Sequence, residues 1–458
     1  MAKLWGSRFK KKTNSLVEKF SSSIGYDYKL AKYDVLASIA QAQMLGKARI
    51  ISVRDSARIV QALRVMLKQI EQGSFVFDKK AEDVHTNIQN ALKKKIGQVA
   101  KKLHTARSRN DLVATDLRMY AKEEIRNQKS KIKYLQLVLV EFAKKNIKVI
   151  IPGFTHLQHA QAISLAHQLL AYVEMLERDQ QRLSDAYKRC DVLPLGSAAL
   201  AGTTLPINRN YLAKLLGFSK VSANSIDAVS DRDFVLEILS ALSILSMHLS
   251  RMAEDFILWA SPEFGLLELD ESFCTGSSLM PQKRNPDVLE LIRANAGTVY
   301  GNLLALLTTF KGLPLSYNRD MQLDKPAFFN SLESLSAGLE VFSELVKCCG
   351  INSNQALMLS SDELLCATDL VDYLVRKGVA FQEAHKIVGK IVAFTQERKL
   401  FLSEIPPEKW KQFSGRFEKD VYGLLNAQAS VEAKRSFGGT CLVNIKRELS
   451  NWKKRLKK

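Results

Sequence analysis

Between residues 111 and 145, apolar side chains return at Leu112, Leu117, Met119, Ile125, Ile132, Leu135, Leu137, Val140 and Phe142. That spacing predicts one very long amphipathic helix. Ile151-Pro152-Gly153 breaks the pattern, and a second long helix is predicted over 162–191, ending before Pro194. The glycine-rich stretch 195–206 separates it from a third. The third starts near Ser230, where Ser230 and Asp233 have capping character, and runs to Trp259 before Pro262. A fourth starts after Asn285, which suits the N-cap, with Pro286 suited to the first position and Asp287 to the positive end of the dipole. It reaches Lys311-Gly312, and a fifth covers 325–347.

Helices of about 25–35 residues span roughly 38–50 Å. Their apolar residues fall on more than one face, so they require burial in a long bundle, extended by oligomerisation. Before them, shorter helices are predicted over 34–49 and 56–71, with Gly73 as a stop; after 358 the helices are short and broken at Pro406-Pro407. The pattern divides the chain into a mostly helical N-terminal domain (1–105), a central long-helix bundle (106–357) and a small C-terminal helical domain (358–458). The predicted fold class is all-α. A length of 458 residues fits several domains, and the scarcity of glycine (22) and proline (10) favours long helices over many turns.

The net charge of +20 raises the possibility of a nucleic-acid partner. The lysine clusters at 10–12, 93–95 and 453–458 are not interleaved with aromatics, so the charge reads as a solvated surface that steers anionic substrates weakly. No nucleic-acid or membrane partner is expected. Six scattered cysteines form no CxxC pair, the first residues MAKLWGSRFKKK hold no apolar leader core, and no run approaches a membrane span. A cytoplasmic location is expected.

Three polar segments sit at the ends of predicted bundle helices. His104-Thr105-Ala106-Arg107-Ser108-Arg109-Asn110-Asp111 gathers two arginines, an amide and hydroxyls at a helix start, which suits an anion. A helix cap with exposed arginines is the plainer reading. Thr155-His156-Leu157-Gln158 places a histidine between hydroxyl and amide residues in a predicted helix-entry loop. His156 is spaced i,i+3 from His159, but no carboxylate completes a metal site. Gly276-Ser277-Ser278-Leu279-Met280-Pro281-Gln282-Lys283-Arg284-Asn285-Pro286 is either a linker or a loop that binds a carboxylate while a neighbouring carbon loses a proton. Glu290 lies one turn further on and could orient a histidine. Nucleotide-binding, zinc-protease and calcium-loop motifs are absent from the sequence.

Together these segments resemble the fumarase/aspartase superfamily of lyases. GSSLMPQKRNPD is similar to the superfamily signature, and its MPQK-x-NP form resembles the argininosuccinate lyases. HTARSRND and FTHLQHAQ resemble the family's other two site segments. Further similar blocks are WGSRF, SSSIGYD, PLGSAALAGTTLPINR, SIDAVSDRDF, LSRMAEDFILW, LPLSYNRDMQLDK and VEAKRSFGGT, so the resemblance covers nearly the whole chain.

The resemblance implies a three-domain protomer in a homotetramer with a twenty-helix core, each active site being shared by three subunits. It implies β-elimination of argininosuccinate to arginine and fumarate, the last step of arginine synthesis, with no cofactor and no metal. By position it implies Ser277 as base and His156 as the other acid–base partner, oriented by Glu290. Loop amides and Lys283 are implied to supply the field that stabilises a serine alkoxide, and Lys283 with Asn285 to hold carboxylates. Thr155 and Asn110 match substrate contacts. Ser23, Tyr317, Gln322 and Lys325 match residues holding the arginine-side amino acid or neighbouring carboxylates, and Arg107, Arg109 and Arg232 match site arginines. The chain departs from the family pattern at Ala106 (usually glycine), Leu112 (glutamine), Ala162 (proline), Asn208 (aspartate) and Leu323 (glutamate). An adenylosuccinate-type lyase and a catalytically idle structural relative are the alternatives. HTARSRND and MPQK oppose the first, and intact Ser277, His156 and Lys283 oppose the second.

Overall fold

A computed structural model describes residues 11–457. WGSRF and Lys10, and Lys458 at the other end, lie outside the described residues. Five long helices dominate: Arg109–Lys145, Leu165–Cys190, Asp233–Ala260, Asp287–Phe310 and Asp324–Cys348. The first has 37 residues, about 55 Å at 1.5 Å per residue. The entry region contributes Ala31–Lys47, Val53–Glu71 and Val84–Ile96. Ser52 and Asp83 cap the latter two by accepting the Asp55 and Thr86 amides at 3.0 and 2.8 Å. The first two of these helices approach so closely that a Cβ on Gly46 would lie 2.6 Å from Ser56, whose hydroxyl donates to the Ala42 carbonyl at 2.7 Å.

The fold is mostly α, with three two-stranded sheets among the described residues. The largest is an antiparallel hairpin, Ile150–Thr155 with Gln158–Ser164. Here the structure corrects the sequence expectation. Residues 162–164 are strand, and the second long helix starts at Leu165. Strand pairing claims these residues, while the Ser164 hydroxyl accepts the Ala166 amide at 3.2 Å and the Ser164 amide donates to Thr440 Oγ1 at 2.8 Å. Thr155-His156-Leu157-Gln158 is therefore a hairpin tip and not a helix-entry loop.

Two expected caps also move. Ser230 ends a short helix, Ser225–Ser230, and Asp231 caps the third long helix by accepting the Asp233 amide at 2.7 Å. Asn285 does not cap the fourth with its side chain. Its amide donates to Thr275 Oγ1 and the Gly276 carbonyl, each at 3.4 Å.

Among the described residues Asp233–Ala260 is long and apolar enough to cross a membrane, contrary to the sequence expectation. Most of it is buried within the protein, including Phe234, Ile238, Leu242, Leu249 and Phe256, which accounts for its composition. The chain forms two compact units. The first comprises residues up to Lys129 with Asp179–Ile244 and Gly297–Leu335; the second comprises Ser130–Arg178, Leu245–Ala296 and Ser336 onward. This division cuts all five long helices, whereas the segments 1–105, 106–357 and 358–458 leave them whole. Within the second unit, Leu370, Leu374, Ile391, Trp410, Phe417 and Val421 form a core cluster of their own.

Candidate active site

In the first unit, the HTARSRND segment leads into the first long helix through Ala106, whose φ of 57° is left-handed. Arg107 is buried: Nη1 donates to Ser38 Oγ at 3.0 Å, and Ser38 in turn donates to Asp34 at 3.4 Å. His85 Nδ1 lies 2.9 Å from the other Asp34 oxygen. Arg107 Nε and Nη2 have no partner among the described residues. Arg109 pairs with Asp83 at 3.1 Å and Glu82 at 3.5 Å, and donates to Thr86 Oγ1 at 3.3 Å.

Ser23 Oγ donates to Asp27 Oδ2 at 2.6 Å. Burial pushes the Asp27 carboxyl up to about 7, with Asp83 adding to the shift and Ser23 and Lys325 opposing it. Gln322 donates to the Ser21 carbonyl at 3.2 Å, and Arg319 to the same oxygen at 2.7 Å and to Glu82 at 3.1 Å. Tyr317 has its phenol pKa raised by burial, against the influence of Arg319, Arg232 and Arg109. Arg232 Nε donates to Asp324 Oδ2 at 2.6 Å, and Lys325 pairs with the other Asp324 oxygen. The first unit thus gathers Ser23, Arg109, Tyr317, Gln322 and Lys325 near Asp27, Glu82 and Asp83. Sequence reasoning did not single out those three acids. Asp27 lay inside SSSIGYD, and the acid pair before a helix start was the available signal for the others.

In the second unit, the hairpin tip is a two-residue turn in which His156 and Leu157 both have φ of 57°. Such a turn matches strand twist but usually takes Asn-Gly, because both central residues are left-handed. Thr155 and His156 are exposed there. His159, by contrast, lies 3.2 Å from Asp362 and edge-on to Phe154 at 5.2 Å, which makes it a strut of the hairpin.

The serine loop is pinned at its base, where the Thr275 and Asn285 backbones exchange hydrogen bonds of 3.1 and 2.8 Å. Thr275 Oγ1 donates to Asp287 in the first turn of the following helix. Between these anchors, Ser277 Oγ accepts the Leu279 amide at 3.2 Å and the Met280 amide at 3.0 Å. Lys283 and Asn285 line a cleft of about 900 Å³ together with Glu290, Glu268, Asp270 and Cys274. Ser277 is half-buried, and Lys283 and Glu290 are exposed. Among the described residues no hydrogen bond or ion pair joins His156 to Glu290 or to the loop. No group of three His, Cys, Asp or Glu side chains among them could hold a metal ion.

The departures from the family pattern acquire physical content. Ala106 occupies a left-handed position that glycine fills without strain. Asn208 caps Arg209–Leu216 by accepting the Tyr211 amide at 2.8 Å, a task asparagine performs as well as aspartate. Leu112 and Ala162 are buried, and Leu323 is exposed.

Comparison with known proteins follows the same lines. Residues 7–301 match the family described as Lyase, and residues 364–432 the family described as Argininosuccinate lyase C-terminal. The argininosuccinate lyase of Geotalea daltonii is 49% identical over 448 residues, 98% of each chain. That of Desulforamulus reducens is 48% identical over 455 residues, 99% of each chain. Among solved structures, EDDS lyase in complex with formate is similar at a TM-score of 0.83 and 27% identity, over 97% of this chain and 90% of that one. The class II fumarase of Schistosoma mansoni shares the fold at a TM-score of 0.74 and 19% identity, over 88% and 90%. Fold and sequence together define a carbon–nitrogen lyase of the fumarase/aspartase superfamily. Within that superfamily the chain belongs to the argininosuccinate lyase family.

Proposed function

We propose that this chain cleaves argininosuccinate to arginine and fumarate, the last step of arginine synthesis, with Ser277 as the base. The observation that carries the assignment of Ser277 is its pair of amide hydrogen bonds. A serine hydroxyl is a poor base unless its alkoxide is stabilised. The Leu279 and Met280 amides, at 3.2 and 3.0 Å, supply that stabilisation from fixed backbone dipoles. Lys283 adds positive charge from the same loop.

Ser277 Oγ takes the proton from the carbon next to a carboxylate. The electron pair delocalises into that carboxylate, which Lys283 and Asn285 hold. It then returns to form the double bond of fumarate as the bond from the neighbouring carbon to the guanidino nitrogen breaks. That nitrogen takes a proton and leaves as arginine. His156, oriented by Glu290, is the other acid–base partner. Thr155 and Asn110 contact the substrate, while Ser23, Tyr317, Gln322 and Lys325 hold the arginine-side amino acid or neighbouring carboxylates. Arg109 belongs to the same site. For Arg107 and Arg232, burial beside Ser38 and Asp324 favours action through those partners.

The reading includes a homotetramer with each site shared by three subunits. Its support is the helix Asp287–Phe310, which exposes Leu291, Tyr300, Leu304 and Leu307 on more than one side. An apolar surface of that extent on a long helix calls for partners. Sharing also accounts for the lack, among the described residues of one chain, of a hydrogen bond or ion pair between His156 and Glu290. The three-domain division at 105 and 357 accompanies this architecture. A cytoplasmic location is part of the proposal, supported by six free cysteines.

The test is to incubate purified protein with argininosuccinate and follow fumarate by ultraviolet absorbance. Fumarate should accumulate from argininosuccinate and not from adenylosuccinate. The reverse result overturns the substrate assignment, and no turnover of either indicates an idle relative.

A further inference from the structure

The stretch 193–199 is gripped from two sides by opposite charges. Gly196, with φ of 95°, and Ala198, with φ of 52°, turn their amides toward one carboxylate oxygen. Asp111 Oδ2 accepts both at 2.9 Å, and its other oxygen accepts the Ser108 amide at 3.0 Å. Left-handed residues on either side of Ser197, whose own φ is negative, turn the backbone so that its amides converge on one anion. Asp111 is fully buried, and burial raises its carboxyl to about 6 against those three amides.

The carbonyls of the same stretch face a cation. Arg209 donates from Nε to the Leu195 carbonyl at 3.1 Å and from Nη2 to the Leu193 and Pro194 carbonyls, each at 3.2 Å. It also ties down Ser222, just after the two-residue strand Lys220–Val221 that pairs with Val192–Leu193, at 3.0 Å to the carbonyl and 2.7 Å to the hydroxyl. A Cβ on Gly196 would stand 2.7 Å from Arg209 Cγ, so the loop closes directly over the arginine. The peptide dipoles of one loop thus run from a buried carboxylate to a guanidinium.

At its far end the loop touches the site. The Ala199 carbonyl accepts Asn110 Nδ2 at 3.2 Å, and Asn110 is the neighbour of Asp111 in the chain. We infer that Arg209 and Asp111 are positioning residues that fix the Asn110 carboxamide by holding the 193–199 loop rigid. Asn110 is thereby anchored twice: its backbone by the helix start that Asp111 secures, its side chain by the loop that Asp111 and Arg209 shape. The inference deepens the proposed function and rests on the reading that Asn110 contacts the substrate.

Arg209→Lys keeps the charge but replaces a planar fork of donors with a point charge. The KM for argininosuccinate should rise about tenfold while kcat stays within about twofold, the pattern of lost uniform binding. Combining Arg209→Lys with Asn110→Ala should give a variant no worse than Asn110→Ala alone, because both act through one contact. Amide hydrogen exchange at Gly196 and Ala198 should quicken in Arg209→Lys. If that variant does not fold, Asp111→Asn is read by the same three measurements with the same expectations. A wild-type KM in the clamp variant beside an impaired Asn110→Ala overturns the inference, as do multiplicative effects in the double variant. Wild-type constants in Asn110→Ala remove the substrate-contact reading, and unchanged amide exchange removes the grip, so the two failures are read separately.

Discussion

The cluster around Asp324 and the loop around Ser277 handle polar groups in opposite ways. Arg232 and Asp324 are 2% and 0% exposed in their side chains, and Lys325 shares the same carboxylate. Charges taken this far from water persist only when paired. The Ser277 loop commits itself to almost nothing. Its serine accepts two amides of its own loop, and Lys283 stands exposed. One region pairs its charges with one another, leaving Arg232 Nη2 without a protein partner among the described residues. The other is organised but unspent, as a group that must meet a substrate has to be.

The largest test of that contrast is Ser277→Ala. If Ser277 is the proposed base, its loss should lower turnover by about a thousandfold or more, read as fumarate formation. The thermal midpoint should stay at its wild-type value, since the lost contacts lie within an exposed loop. Near wild-type turnover would remove Ser277 from its role. Mixing this variant with His156→Asn, after verified subunit exchange, should restore part of the activity if sites are shared; no recovery would count against sharing.

Asp324→Ala probes the paired side. It leaves Arg232 and Lys325 as two cations around a vacated carboxylate, and breaking a buried pair in this way costs about 3–5 kcal/mol. Urea unfolding measures the loss. A change below about 1 kcal/mol, the worth of an exposed pair, would erase the distinction between the two regions.

Much of this was legible in the chain because it is periodic. The long amphipathic helix after residue 111 follows from side-chain spacing, and the helix start beside Pro286 was legible to within one residue, Asp287 being its first position. The hairpin was not legible. A turn of His156-Leu157 carries none of the Asn-Gly chemistry that normally announces one, so strands 150–155 and 158–164 passed for a break and a helix start. Ser277, Lys283 and Asn285 were visible as a polar segment next to a helix start. Loop amides were expected to support Ser277, but which ones do so was not legible, and the acids near Arg109 lie far from it in sequence. The clamp on 193–199 was hidden for the same reason, since Arg209 reads its loop through carbonyls.

The smallest effect separates strain kept for function from strain merely tolerated. Ala106 and His156 both sit near φ of 57°, one at the entry to the first long helix and one at the hairpin tip. A left-handed residue with a Cβ costs roughly 1–2 kcal/mol, and glycine relieves that while giving back part of it through a freer unfolded chain. Each glycine variant should therefore gain up to about 1 kcal/mol in urea unfolding. Their activities should part: Ala106→Gly keeps fumarate formation, because no side-chain chemistry is lost, whereas His156→Gly loses it with the imidazole. If His156→Gly instead falls in stability by more than about 1 kcal/mol, the imidazole is holding the hairpin together, and the tip belongs with the paired region around Asp324.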